Sequence, residues 1–314
     1  MQPEDLRFEA GDGHPIHATL YRPLHDRGLA VLVAGAIGAR RSYYRHFSEA
    51  LARRGATVLS FDYRGIGGSI DPLLPARSLQ LADWGRLDLA AALEWMRIRL
   101  DFDGLGFVGH SVGGQMLGLA ENNRLLDAGV TVASQLGHWG YWPRASTRMK
   151  LRVASRLVMP VVNRVAGGIP GPLLGGVRLP AGIARDWAQW CGSRAYFLDG
   201  RGQPLLTHFE SLQGPIRLYA LSDDHFYAPP SAVQALQARI GETRAELVVR
   251  SPQDWGKTHI GHFGFFRRGM EQAWREVTDW LAQQIGIPLD PLGGEARERR
   301  EPTPNASVRT FARA

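Results

Sequence analysis

Short uninterrupted apolar runs, each ending in a glycine-rich loop and each leading into a helical pattern, constrain this chain more than anything else in it. Leu29-Ala30-Val31-Leu32-Val33-Ala34 ends in Gly35-Ala36-Ile37-Gly38, Thr57-Val58-Leu59-Ser60-Phe61 enters the polar loop from Asp62 to Ser69, and Leu105-Gly106-Phe107-Val108 enters Gly109 to Gly114. A strand without polar alternation must be buried on both faces, which places these runs inside a mostly parallel sheet covered by helices. Tyr44, Phe47 and Leu51 recur at helical spacing between the first two runs. Trp84, Leu87, Ala91, Trp95 and Ile98 do so ahead of the third, predicting one apolar stripe against the core. Strand and helix alternating in this way imply right-handed crossovers and an α/β architecture.

The flanking segments extend the pattern. Leu6 to Glu9 and Ile16 to Tyr21, around Gly11-Asp12-Gly13, predict an antiparallel hairpin, and Gly129 to Ser134 predicts another strand. Alternation then stops between about Gly137 and Leu212, a segment rich in Trp, Arg, Pro and Gly. It reads as a helical cap inserted over the strand ends, with Trp139, Tyr141, Trp142, Trp187, Trp190, Tyr196 and Phe197 forming its small core and in part lining a pocket. Within it, the amphipathic piece around Arg152, Val153, Leu157, Val158 and Val161 is expected to cover the core rather than touch a membrane. The stretch Gly167 to Gly171 lacks the Gly-Lys-Ser/Thr ending of a phosphate loop and is expected to be a simple loop. The core resumes with strands at Ile216 to Leu221 and Ala245 to Val249, a helix from Ser231 to Ile240, and a closing helix with Met270, Trp274, Val277, Leu281 and Ile285 on one face. The expected division is therefore core over residues 1–136, insertion over 137–212, core again over 213–287, and a disordered tail over 288–314, which has no apolar period.

Composition excludes several classes. With 314 residues, 44% hydrophobic and 21% charged, the bulk of the chain can bury a large core. The formal charge of +7 invites a nucleic-acid partner, but the arginines are spread through predicted helices and the tail, so no such partner is expected. Cys191 is the only cysteine, which rules out an internal disulfide and fits a reducing compartment; it is read as a packing residue. The first residues lack a basic segment followed by an apolar one, and no apolar run reaches the roughly 18 residues of a membrane span. The expectation is a cytoplasmic protein without membrane insertion.

Chemistry concentrates at Gly109-His110-Ser111-Val112-Gly113. A strand-to-helix turn this tight forces its central residue into strained backbone, requires small neighbours, and holds the Ser111 hydroxyl out at the strand's carboxyl end. The Val112 amide beside it faces any oxyanion that forms, and the loop after Ala34 supplies the second donor, Ala36 being favoured over Ile37. A neutral hydroxyl needs a base. His262, just after the last strand, is preferred to His259 three residues earlier. The carboxylate behind it is one of the pair Asp223 and Asp224; neighbours on an extended segment point opposite ways, and Asp224 is preferred, the other capping a helix or turn. Two histidines without a third ligand cluster do not make a metal site, and no cofactor is implied.

Together with Asp62-Tyr63-Arg64-Gly65-Ile66-Gly67-Gly68-Ser69 and Ile260-Gly261-His262-Phe263-Gly264-Phe265-Phe266, these motifs resemble the α/β-hydrolase superfamily, in particular its bacterial "predicted α/β hydrolase" branch. The resemblance spans residues of about 5 to 287. It implies a triad of Ser111, Asp224 and His262 that cleaves a carboxylic ester or thioester through an acyl-serine, acting on a small molecule with an apolar acyl or aromatic portion. The same triad would serve acyl transfer or cleavage of an activated C–C bond, and a non-catalytic binding protein could keep the same fold. The resemblance leaves a homo-oligomer open. Many relatives carry His-Gly where this chain has Ala34-Gly35.

Overall fold

A computed structural model describes residues 2–289, so the expected tail lies outside the described residues from position 290 onward. The strands of the main sheet are β1 (Glu4–Glu9), β2 (Pro15–Tyr21), β3 (Leu29–Ala34), β4 (Thr57–Phe61), β5 (Gly104–His110), β6 (Ala128–Val132), β9 (Ile216–Leu221) and β10 (Ala245–Arg250). The short β7 (Gly168–Ile169) and β8 (Leu179–Pro180) pair with each other in the insertion. The main sheet runs β1-β2-β4-β3-β5-β6-β9-β10, antiparallel at β1–β2 and β2–β4 and parallel from there on. Every residue of β3, β4 and β5 is buried, as expected for strands covered on both sides.

Helices close both faces: α1 (Arg45–Arg53), α2 (Ala90–Arg99), α3 (Val112–Gln115), α8 (Pro230–Ile240) and α10 (Glu271–Ile285) belong to the core. The insertion supplies α4 (Ala145–Val153), α5 (Met159–Ala166), α6 (Gly171–Leu174) and α7 (Ala181–Gly192), and α9 (Gly261–Gly264) follows β10. The close seat of α10 on the sheet depends on β5 having no side chain at Gly104, where a Cβ would lie 2.2 Å from Ile285.

The helix before β5 departs from expectation. It buries Trp84, Asp88, Leu89, Ala92, Leu93 and Met96, while Leu87, Ala91, Trp95 and Ile98 are only half-buried. That is a turn of roughly 100°, one residue's worth, from the face its apolar spacing predicts. The cause is a buried ion pair: Arg64 donates to Asp88 from Nε at 2.7 Å and from its backbone amide at 2.9 Å, and it reaches Asp12 through Nη1 at 2.8 Å. A π-helical stretch over Trp84–Leu89 carries Asp88 inward to meet it.

Between β6 and β9 the insertion rests on the loops at the carboxyl ends of the parallel strands. Val177 N–H donates to the Gly38 carbonyl at 2.8 Å, and Asp186 accepts from Leu81 N–H at 2.9 Å. Trp142, Trp190, Tyr196 and Phe197 are buried, while Trp139, Tyr141 and Trp187 are half-buried. Two expectations fail here. The glycine-rich stretch after Gly167 forms the β7–β8 pair rather than a plain loop. The amphipathic piece does not cover the core with its apolar side: Val153, Leu157, Val158 and Val161 are all exposed, because the helical run packs on α7 through its other residues.

Candidate active site

β5 carries Ser111 to the carboxyl edge of the sheet, where its backbone turns at φ 52° and ψ −118°. Side-chain-bearing residues rarely occupy this region, so the surroundings must hold it there. They do so by close packing: a Cβ on Gly113 would lie 2.2 Å from the Ala34 carbonyl oxygen, and one on Gly109 would lie 2.6 Å from Gly114. Val112 is the first residue of α3, where an amide has no carbonyl one turn earlier to bond.

His262 lies in α9, on the chain that leaves β10. Its Nδ1–H donates to Asp224 at 2.6 Å, and both side chains are buried. The second oxygen of Asp224 accepts from Tyr227 N–H at 3.0 Å, and the Tyr227 ring lies 4.9 Å from the imidazole. Asp223 turns away. It accepts from the amides of Ile260 and Gly261 at 2.8 and 2.9 Å and pairs with the exposed His259 at 2.9 Å. Asp223 therefore caps the start of α9 rather than the helix or turn that follows β9, and so anchors the segment that presents His262.

His110, the residue before Ser111, joins the two halves. Its Nε2–H donates to the His262 carbonyl at 2.9 Å, which fixes the tautomer and leaves Nδ1 to accept from the Tyr44 hydroxyl at 2.9 Å. The Tyr44 oxygen in turn accepts from Ala36 N–H at 2.7 Å. One buried chain of hydrogen bonds thus ties the loop after β3, the serine turn and the histidine loop together. Burial, with His262 nearby, holds His110 well below the usual histidine range, so the ring is neutral; burial likewise pushes the Tyr44 hydroxyl up, so it keeps its proton. Sequence reasoning missed both roles. Tyr44 reads as one more apolar position on a helix, and only a histidine placed inside the glycine motif signals that something polar must wait beneath it.

The Ala36 amide, expected to stand open as an oxyanion donor, is engaged by Tyr44 in this structure. Cys191 is partly buried, and desolvation pushes its thiol up to about 12, the reverse of an activated nucleophile. Among the described residues no cluster of His, Cys, Asp and Glu is placed to hold a metal ion. A polar cleft of about 400 Å³ lies along Arg40, Arg41, Arg45 and Asp62, but the Arg41 charge there is already met by Asp62 and Asp5.

The model of the alpha/beta hydrolase family matches residues 30–288. The chain belongs to the α/β hydrolase family. A search of curated proteins finds no match. Among solved structures, this hydrolase is similar to a soluble variant of monoglyceride lipase from Saccharomyces cerevisiae, at 13% identity and a TM-score of 0.62, covering 90% of this chain and 96% of that one. It is also similar to the esterase domain of a Rhodothermus marinus protein, at 16% identity and 0.57, covering 91% and 100%. An esterase from Pyrococcus furiosus follows at 17% identity and 0.57, covering 91% and 92%. These likenesses establish the fold of the hydrolase.

Proposed function

We propose that this hydrolase cleaves a carboxylic ester or thioester through an acyl-serine intermediate, with Ser111 as nucleophile, His262 as general base and Asp224 as its orienting carboxylate. The observation that carries the reading is the 2.6 Å hydrogen bond from His262 Nδ1–H to Asp224. It commits one ring nitrogen to the carboxylate and leaves Nε2 as the nitrogen able to take a proton. The strained backbone at Ser111 and the bond from His110 to the His262 carbonyl support it, because they fix hydroxyl and imidazole to the same turn.

In the first half-reaction the Ser111 oxygen attacks the substrate carbonyl carbon while its proton passes to His262 Nε2. The carbonyl oxygen gathers negative charge opposite the Val112 amide. The Ala36 amide contributes a second donor as far as it can share its hydrogen between Tyr44 and the oxyanion. Collapse breaks the bond to the leaving oxygen or sulfur, which takes the proton from His262. Water then repeats the sequence on the acyl-serine, releasing the carboxylic acid and restoring Ser111. The insertion, resting on the loops that follow β3 and β4, serves as the cap over this site and supplies an apolar or aromatic wall for the acyl group.

A fluorophosphonate probe tests the reading directly. Mass spectrometry of the labelled protein is expected to place the adduct on Ser111, and Ser111→Ala is expected to lose both the adduct and turnover of 4-nitrophenyl esters. Undiminished ester turnover by Ser111→Ala overturns it.

A further inference from the structure

We propose that the helical run over residues 145–166 seats this protein on an anionic lipid surface. This run belongs to the insertion and carries none of Ser111, Asp224 and His262. From α4 through the π-helical stretch Ala154–Val158 to α5 the chain is continuously helical, and it turns an apolar stripe outward: Met149, Val153, Leu157, Val161 and Val165, spaced four apart, are 56, 43, 60, 51 and 84% exposed. Val158 on the same run is exposed as well. Residues four apart lie one above another on a helix, so these side chains form a single uncovered ridge. Ridges of this size on a protein surface mark a place where something apolar docks.

Charge selects what docks. Arg148, Lys150, Arg152, Arg156 and Arg164 lie on the same run and are all exposed, and the sequence contains no acidic residue between Asp127 and Asp186. Basic side chains, with no acidic one among them, therefore flank this apolar ridge. An apolar stripe flanked by long cationic side chains fits the boundary of a bilayer, with valine, leucine and methionine among the acyl chains and the guanidinium groups among anionic headgroups. A second copy of this face would bring like charges together, and a nucleic acid would leave the ridge against phosphates. The run does not span a bilayer: among the described residues no helix is long and apolar enough to cross a membrane. The attachment is to one leaflet.

Vesicle co-sedimentation of the full chain tests this. Vesicles of phosphatidylglycerol mixed with phosphatidylcholine are expected to bind the protein about tenfold or more tightly than phosphatidylcholine alone, with the difference shrinking at high salt. Leu157→Ser/Val161→Ser and Arg156→Glu/Arg164→Glu, all at exposed positions, are each expected to weaken binding about tenfold while leaving the thermal melt followed by circular dichroism unchanged. Ser111→Ala is expected to bind like the wild type, which separates attachment from hydrolysis. Failure of the wild type to bind anionic vesicles overturns the proposal, as does equal binding to neutral vesicles or unchanged binding by both double variants. A concentration-dependent dimer that Leu157→Ser/Val161→Ser abolishes, in a protein that ignores vesicles, would likewise overturn it and assign the ridge to a second copy.

Discussion

Tyr44, at the entry to α1, and His110, at the end of β5, meet in the core through a 2.9 Å hydrogen bond from the Tyr44 hydroxyl to His110 Nδ1. The same hydroxyl accepts the Ala36 amide hydrogen at 2.7 Å, so one oxygen serves two buried partners. Tyr44→Phe keeps the ring, which packs edge-on against Phe266 at 4.9 Å, and removes only that oxygen. It leaves a buried amide and a buried ring nitrogen without partners, a loss of about 1–3 kcal/mol for each such group. Urea denaturation is expected to show the variant destabilised by about 2–4 kcal/mol at an unchanged m-value. A loss under about 0.5 kcal/mol would mean that water or a shifted loop satisfies both groups.

The neutral state of His110 carries its own pH signature. Burial and the proximity of His262 lower its folded pKa far below the ordinary 6.5, whereas in the unfolded chain the ring titrates at that ordinary value. Below pH 6.5 the unfolded state therefore binds the proton first, so this contribution to stability is complete above 6.5 and is lost as pH falls toward the folded pKa. The slope is about 1.4 kcal/mol per pH unit. Denaturation of wild type and His110→Gln between pH 7.5 and about 5 is expected to show the wild type losing stability more steeply by roughly that amount. Parallel curves would refute the buried neutral ring.

The two neighbouring aspartates separate in a pair of substitutions. Asp224→Asn keeps the shape but presents an amide to His262 Nδ1, which spoils the tautomer, and kcat is expected to fall about 10³- to 10⁴-fold. Asp223→Ala frees the amides of Ile260 and Gly261 and loosens the loop without touching the imidazole, so a fall of about 10- to 100-fold is expected. Asp223→Asn still offers a carbonyl oxygen to those amides and is expected to recover most of the loss. Rescue by asparagine at 224 but not at 223 would exchange the roles of the two residues.

The serine turn tolerates nothing larger than glycine on its inner side. At Gly113 an added methyl would have to displace the Ala34 carbonyl, 2.2 Å away, and with it the end of β3 and the loop that holds Ala36. Backbone yields far less readily than a side-chain tip. Gly113→Ala is expected to lower the melting temperature by several degrees and to reduce fluorophosphonate labelling of Ser111, both read on one purified sample; a fully labelled variant with a wild-type melt would show that the turn is looser than its contacts imply.

Much of this architecture is legible in the sequence because burial on both faces leaves a plain trace. The runs at β3 and β4 start and stop where the structure has them, since every residue in them is apolar or small and the next residue, Gly35 or Asp62, breaks the run. Alternation says only that one of Asp223 and Asp224 can face His262. The choice of Asp224 comes from its distance past Leu221, and the chain there is a turn, with Asp224 N–H bonded to the Leu221 carbonyl, rather than an extended segment. What the sequence conceals depends on partners distant in the chain. Nothing near Asp88 announces Arg64, so the helix is read with its stripe turned one residue too far, and nothing near Tyr44 announces the histidine that claims its hydroxyl. The outward stripe on residues 149–165 fails for a different reason: an apolar period tells that a helix has a greasy side, not which way that side faces.

The buried Arg64–Asp88 pair gives the last prediction, in which the sign of a pH effect is decisive. Burial pushes the Asp88 carboxyl up to about 7 even with Arg64 beside it. Arg64→Met removes the compensating charge and leaves a carboxyl that must stay protonated to remain in the core. A carboxyl whose folded pKa stands above its ordinary 3.8 holds its proton in the native state and releases it on unfolding, so stability falls as pH rises from 3.8 toward the folded value. Without Arg64 that folded value moves higher still, and the decline continues through neutral pH. Arg64→Met is therefore expected to cost about 3–5 kcal/mol near pH 8 and distinctly less near pH 5, measured as denaturation midpoints at the two pH values. The opposite order, with greater damage in acid, would show that Asp88 is charged in the variant and that solvent reaches it.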